Sequence, residues 1–140
     1  MSPVESLQTT LAAEHAAVWL YGVLGGQTSQ TSQPRLYGVF TAAYAAHRGR
    51  RDQLVRWILD ADAEPVVADV AYELPNPART PAQLSAIALQ VEQRCAATYA
   101  DLVARTVDDV RAWGVTALIE AAVRQLDVDG EPTDLPGIDT

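Results

Sequence analysis

The stretch ADAEPVVADVAYELPNPART, from Ala61 to Thr80, constrains the fold more than any motif in the chain. It carries three prolines and no helical stripe, so it is a poor helix. The segments on either side are long and helix-patterned, and a connection of this length is too long for a tight turn between neighbours. It makes sense if the chain must travel the length of a bundle. Helices of about 25 residues span roughly 37 Å at 1.5 Å per residue. An extended connector of about 20 residues reaches up to roughly 66 Å, enough to return to the opposite end.

Local signals place four helices around that connector. Ser2, Pro3 and Glu5 make a capping-box start with proline at the first helical position. This first helix is expected over about residues 3–25, closed by Gly25–Gly26 in a left-handed cap. The polar loop QTSQTSQ follows, and the second helix runs from Pro34 to about residue 60. Thr80-Pro81-x-Gln83 opens the third, over about 81–105. Thr106 with Asp109 opens the fourth, over about 107–126. These limits predict one domain over residues 1–126. The tail 127–140, DVDGEPTDLPGIDT, is acidic and rich in proline and glycine, and is expected to be flexible or laid on the surface. A short first loop and a near-absent third loop give two antiparallel hairpins. The prediction is an all-α four-helix bundle, up-down hairpins joined by one long crossover, the connectivity of ferritin-like bundles.

Composition agrees and excludes several functions. The chain has 140 residues, 49% of them hydrophobic, enough for one real core. Alanine and leucine are abundant, and both favour helix. All ten basic residues are arginine, read here as the coding bias of a GC-rich, actinobacterial genome. The net charge of −8 gives no basic footprint for nucleic acid and repels anionic membranes. Cys95 is the only cysteine, so no internal disulfide forms. No signal peptide or membrane-length apolar run is visible, so a cytoplasmic location is expected.

The apolar seams carry the functional information. Spacings of three and four align Val4, Leu7, Leu11, Glu14, Val18 and Tyr21 in the first helix. The second gives Tyr37, Phe40, Tyr44, His47, Arg51, Leu54 and Ile58. The third gives Ala88, Glu92, Cys95, Tyr99 and Leu102, and the fourth Val110, Trp113, Ala117, Glu120 and Arg124. An acidic residue or imidazole interrupts each stripe. Glu14 lies 11 residues before Gly25, and His47 lies 13 after Pro34. Glu92 lies 13 before Arg105, and Glu120 lies 14 after Thr106. Glu14, His47, Glu92 and Glu120 therefore fall in one mid-bundle layer. Arg51 is expected to turn inward, Arg124 to pair with Glu120 at i+4, and Tyr21, Tyr44 and Tyr99 to donate into the layer. His15 points away from Glu14, toward the rim, and Cys95 reads as a small buried hydrophobe. The three tryptophans fit helix packing or a subunit interface.

This pattern resembles the carboxylate-bridged di-metal proteins of ferritin-like fold, with Glu on one helix, Glu-x-x-His on the next, Glu on the third and Glu-x-x-His on the fourth. EHAAVWLYGVLGG followed by AHRGRRDQL is similar to an actinobacterial ferritin-like family of unknown function. The resemblance implies metal ligands at Glu14, His47, Glu92 and Glu120. Two positions depart from it. Tyr44 stands where the second helix should carry Glu, and Val123 stands where the fourth should carry His. Tyr44 is at best a weak ligand. The expectation is a degenerate site in a bundle that is not an enzyme and holds no cofactor, serving as a dimerisation or partner-binding module. A homodimer through the first two helices is the expected assembly, with an unknown protein as the other partner. The alternative is a metal-binding, oxidoreductase-like protein with a single Fe or Mn ion on the mid-bundle layer, since carboxylates and imidazole suit those metals.

Overall fold

The computed structural model describes residues 1–138; Asp139 and Thr140, the end of the expected tail, lie outside the described residues. Among the described residues there are four helices and no strand: α1 (Pro3–Gln27), α2 (Pro34–Asp60), α3 (Pro81–Arg105) and α4 (Asp108–Asp127). The capping boxes at Ser2/Glu5 and Thr80/Gln83 both form, each with proline at the start of the helix. α1 packs on α2, α3 on α4, and α1 on α3. α2 meets α4 through long side chains: Trp57 edge-on to Trp113, and the Arg35 guanidinium donating to the Asp127 carbonyl at 3.0 Å. No helix among the described residues is long and apolar enough to cross a membrane.

The crossover runs along the outer side of α1. The Gln8 amide donates to the Glu64 carbonyl at 2.6 Å and accepts from the Val66 N–H at 2.8 Å. His15 Nε2 lies 2.9 Å from the Val66 carbonyl, at the rim, and Trp19 packs on Tyr72. Beyond α4, Val128 is buried and Gly137 takes φ 78° against Ala96 of α3. A Cβ at Gly137 would sit 2.3 Å from the Ala96 carbonyl oxygen, so only glycine allows the tail this close.

Two helix ends differ from expectation. α1 passes through Gly25 and Gly26 to Gln27 and stops in an extended residue, Thr28. Thr28 donates its hydroxyl back to the Leu24 carbonyl at 2.6 Å, so a free end carbonyl is satisfied without a left-handed glycine. α4 is capped by Val107, with no side-chain bond. Thr106 ends α3 instead, and its hydroxyl donates to the Leu102 carbonyl at 2.6 Å. Asp108, at φ 52°, makes the abrupt reversal between the two helices.

The apolar core falls into two clusters. One gathers Leu24, Phe40, Ile87 and Ala117. The other gathers Leu7, Leu11, Leu54, Ile58 and Leu102. The polar layer is built on the same helices.

Candidate functional site

Glu14, His47 and Glu92 come from the middles of α1, α2 and α3, and all three are fully buried. Glu14 Oε2 lies 2.5 Å from His47 Nδ1, and Glu92 Oε1 lies 2.9 Å from His47 Nε2. An ionised carboxylate only accepts hydrogen bonds, so an imidazole clamped between two of them must donate from both nitrogens and is an imidazolium. Burial by itself lowers the His47 pKa. The charge of Glu14 and the hydrogen bonds to Glu14 and Glu92 outweigh it, lifting the value to about 9. Burial raises Glu92, but its bond to His47 and the charge of His47 hold it below the ordinary carboxylate value.

A second ring of groups completes the layer. Tyr21 stacks on His47 at 5.4 Å and donates its hydroxyl to Glu92 Oε1 at 2.7 Å. Tyr99 donates to Glu14 Oε1. Burial pushes both phenols well above their usual range and keeps them protonated. Arg50 donates to the Tyr99 oxygen at 3.2 Å and to Glu120. Arg124 reaches Glu92 Oε1 at 3.4 Å. Three carboxylates (Glu14, Glu92 and Glu120) thus face three cations (His47, Arg50 and Arg124), and the network is neutral. Such pairing is what makes buried charge tolerable.

Three of the four candidate ligands meet; the fourth does not. The Glu120 side chain is 52% exposed and touches the layer only through Arg50. The reason is the phase of α4. Its buried line is Gly114, Ala117, Ala121 and Gln125, rotated from the expected seam. A Cβ at Gly114 would lie 3.0 Å from Val103, so small residues let α4 settle closely on α3 with Glu120 at the rim. Arg124 consequently pairs with Glu92 and not with Glu120. The same kind of shift governs α2. Its buried line is Leu36, Phe40, Ala43, His47, Arg50, Leu54 and Ile58. Arg50 is therefore the arginine turned inward, while Arg51 lies at the surface beside Asp52. Tyr44 is half-buried with the Arg48 guanidinium over its ring, and does not donate into the layer as expected. Cys95 is buried in the apolar core beside the layer, as expected of a small hydrophobe. Glu14, His47 and Cys95 each offer a ligand atom, all within 4.8 Å of one another. Burial and the two carboxylates push its thiol pKa well above the usual value. The signal for Arg50 was its i+3 spacing from His47, one position short of Arg51 at i+4.

The donor set does not fit a two-metal centre. Only two carboxylates are buried in it, both nitrogens of its one imidazole are engaged, and two guanidinium groups bond into it. Val123, where a second imidazole would stand, is 56% exposed on the outer face of α4.

The fold and this carboxylate–imidazole layer define a ferritin-like four-helix bundle. The chain belongs to the family described as a domain of unknown function, DUF4439, whose family model matches residues 6–140. No curated protein matches it. Among solved structures it is similar to a conserved hypothetical protein from Mycobacterium tuberculosis, at 25% identity and a TM-score of 0.83, over 91% of this chain and 87% of that one. A ferritin-like, diiron-carboxylate protein from Bacillus anthracis str. Ames shares 14% identity, with a TM-score of 0.79 over 91% and 92% of the two chains. A dodecameric thioferritin, the bacterioferritin-related protein of Bacteroides fragilis, shares 18% identity, with a TM-score of 0.76 over 91% and 82%. The last two likenesses carry the fold and nothing further.

Proposed function

We propose that this chain is a non-catalytic ferritin-like bundle, a dimerisation or partner-binding module whose interior is held by an ion-pair layer in place of a di-metal centre. The observation that carries this reading is His47, clamped at both nitrogens by Glu14 and Glu92. The imidazolium and two arginines supply positive charge where di-metal bundles place their ions, and none of them can cycle between oxidation states. The surface best suited to a partner is the outer face of α4. Val115, Ile119, Val123 and Leu126 recur there at helical spacing and are between 41% and 60% exposed.

Loading with Fe(II) and Mn(II) under anaerobic conditions, followed by elemental analysis, tests the reading on wild type and His47→Ala together. Iron and manganese should stay far below one per chain in both. Near-stoichiometric iron in wild type that disappears in the variant would overturn the proposal and restore a working metal site. The variant should also lose about 3–5 kcal/mol of stability, because two buried carboxylates lose their shared partner.

A further inference from the structure

One donor set in the layer differs in kind from the carboxylate-rich set of an iron or manganese site. Cys95 offers a sulfur, His47 a ring nitrogen and Glu14 a carboxylate oxygen, and the three residues are buried together with those atoms within 4.8 Å of one another. Glu14 lies on the Nδ1 side of the ring. Nε2 is engaged by Glu92 Oε1 at 2.9 Å. A carboxylate that takes the N–H of one ring nitrogen fixes the tautomer and turns the other nitrogen toward a metal. The Cys95 thiol has a long contact to the Ala13 carbonyl, at 4.0 Å, and lies beside the Tyr99 hydroxyl. Glu92 Oε2 is the one buried side-chain nitrogen or oxygen among the described residues with no hydrogen-bond partner, a spare acceptor in the same layer.

We propose that Glu14, His47 and Cys95 form a binding site for one divalent ion of the zinc class, with Glu92 as the outer carboxylate that orients the imidazole. Mixed sulfur, nitrogen and oxygen ligands suit zinc and cobalt, whereas thiolate disfavours manganese and magnesium. Ligand atoms around a tetrahedral zinc lie roughly 3.5 Å apart, given bonds of about 2.0–2.3 Å. Glu14 Oε2 and His47 Nδ1, 2.5 Å apart, therefore need to open by about 1 Å, and atoms that stand as far as 4.8 Å apart need to close by about as much. Charge balances in both states. The ion brings two positive charges and displaces two protons to solvent, one from the Cys95 sulfur and one from His47 Nδ1. The layer stays neutral, and Arg50 and Arg124 keep their partners. Cys95 is thus a ligand in this reading and more than a space-filler.

Cobalt reads the site directly. Full-length protein, kept reduced, is titrated with Co(II) and followed by absorbance. Wild type should bind close to one ion, with a thiolate-to-cobalt charge-transfer band and the intense visible bands of a four-coordinate ion. Cys95→Ser and Cys95→Ala should both lose the charge-transfer band and bind at least tenfold more weakly. Asp52→Asn should bind as wild type does, because Asp52 is exposed and pairs with Arg51 outside the layer. Zn(II) should displace the cobalt and raise the thermal midpoint of wild type but not of either cysteine variant. A wild type that shows only the weak spectrum of six-coordinate cobalt would overturn the site. So would a charge-transfer band that survives in both cysteine variants. The site stands apart from the partner-module role: iron loading tests that role and cobalt tests the site.

Discussion

Protonated His47 holds three helices at once, through Glu14 of α1 and Glu92 of α3, and this makes stability depend on pH in a defined direction. Its pKa in the folded chain is raised to about 9 from the ordinary 6.5. A raised value means that the folded state holds the proton more tightly. The contribution is therefore fully present below about pH 6.5 and is lost as pH rises through about 9. Glu92 works in the opposite sense. Its value is lowered, so its contribution is present above the ordinary carboxylate value of 4.5 and is lost as pH falls through the lowered one. Urea denaturation of wild type should show falling stability between about pH 6.5 and 9. His47→Gln should be less stable at neutral pH and nearly flat across that window. A variant that declines as steeply as wild type would show that another group carries the effect. Two arginines show how narrow the margin is at this scale. Each residue along a helix turns the side chain by about 100°. Arg50 and Arg51 are neighbours in sequence, yet one bonds into the layer and the other lies on the surface beside Asp52.

Helices begin here where proline and a capping side chain tell them to, and they end where tertiary contacts allow. Pro3, Pro34 and Pro81 each open a helix, and Ser2 and Thr80 close their capping boxes. These are contacts within four residues, which is why they could be read from sequence. Thr80→Ala should cost about 1 kcal/mol, measured as a shift in the thermal midpoint. The glycine pair at the end of α1 behaves otherwise. Gly25 and Gly26 lie within the helix with negative φ, and a Cβ on Gly26 meets nothing within 4 Å. Gly26→Ala should therefore stabilise by about 0.5–1 kcal/mol. A loss of stability instead would mean that the glycines do form the cap their sequence position implies. The ends of α3 and α4 carry the same lesson. Thr106 is spent on the Leu102 carbonyl, so Val107 and the left-handed Asp108 make the turn without a capping side chain.

At the scale of the whole molecule, α4 is apolar on two faces. Its inner face packs on α3 with Gly114, Ala117 and Ala121. Its outer face leaves Ile119 60% exposed and Val123 56% exposed. Ile119→Asp should leave the folded core intact, since the residue makes little burial, and should shift a self-associating wild type to monomer in sedimentation velocity. An unchanged sedimentation coefficient would move the interface elsewhere, to the α1–α2 hairpin that the sequence favours or to no interface between copies.

The sequence by itself determined the number of helices, their order, the long crossover, and the depth at which Glu14, His47 and Glu92 meet. Those features depend on proline, capping residues, apolar period and loop length, all of which act locally or simply add along the chain. Tertiary structure decided the rotation of α2 and α4 about their own axes. A seam of threes and fours can be drawn through α2 in two phases that share Phe40, His47, Leu54 and Ile58. Packing against α1, with the bonds of Arg50 to Tyr99 and Glu120, selects the phase that buries Arg50. In α4 the close approach of Gly114 to Val103 selects the phase that sends Glu120 to the rim. Those rotations replaced the expected fourth acidic ligand with arginines, because side-chain direction is settled by which helix faces fit together.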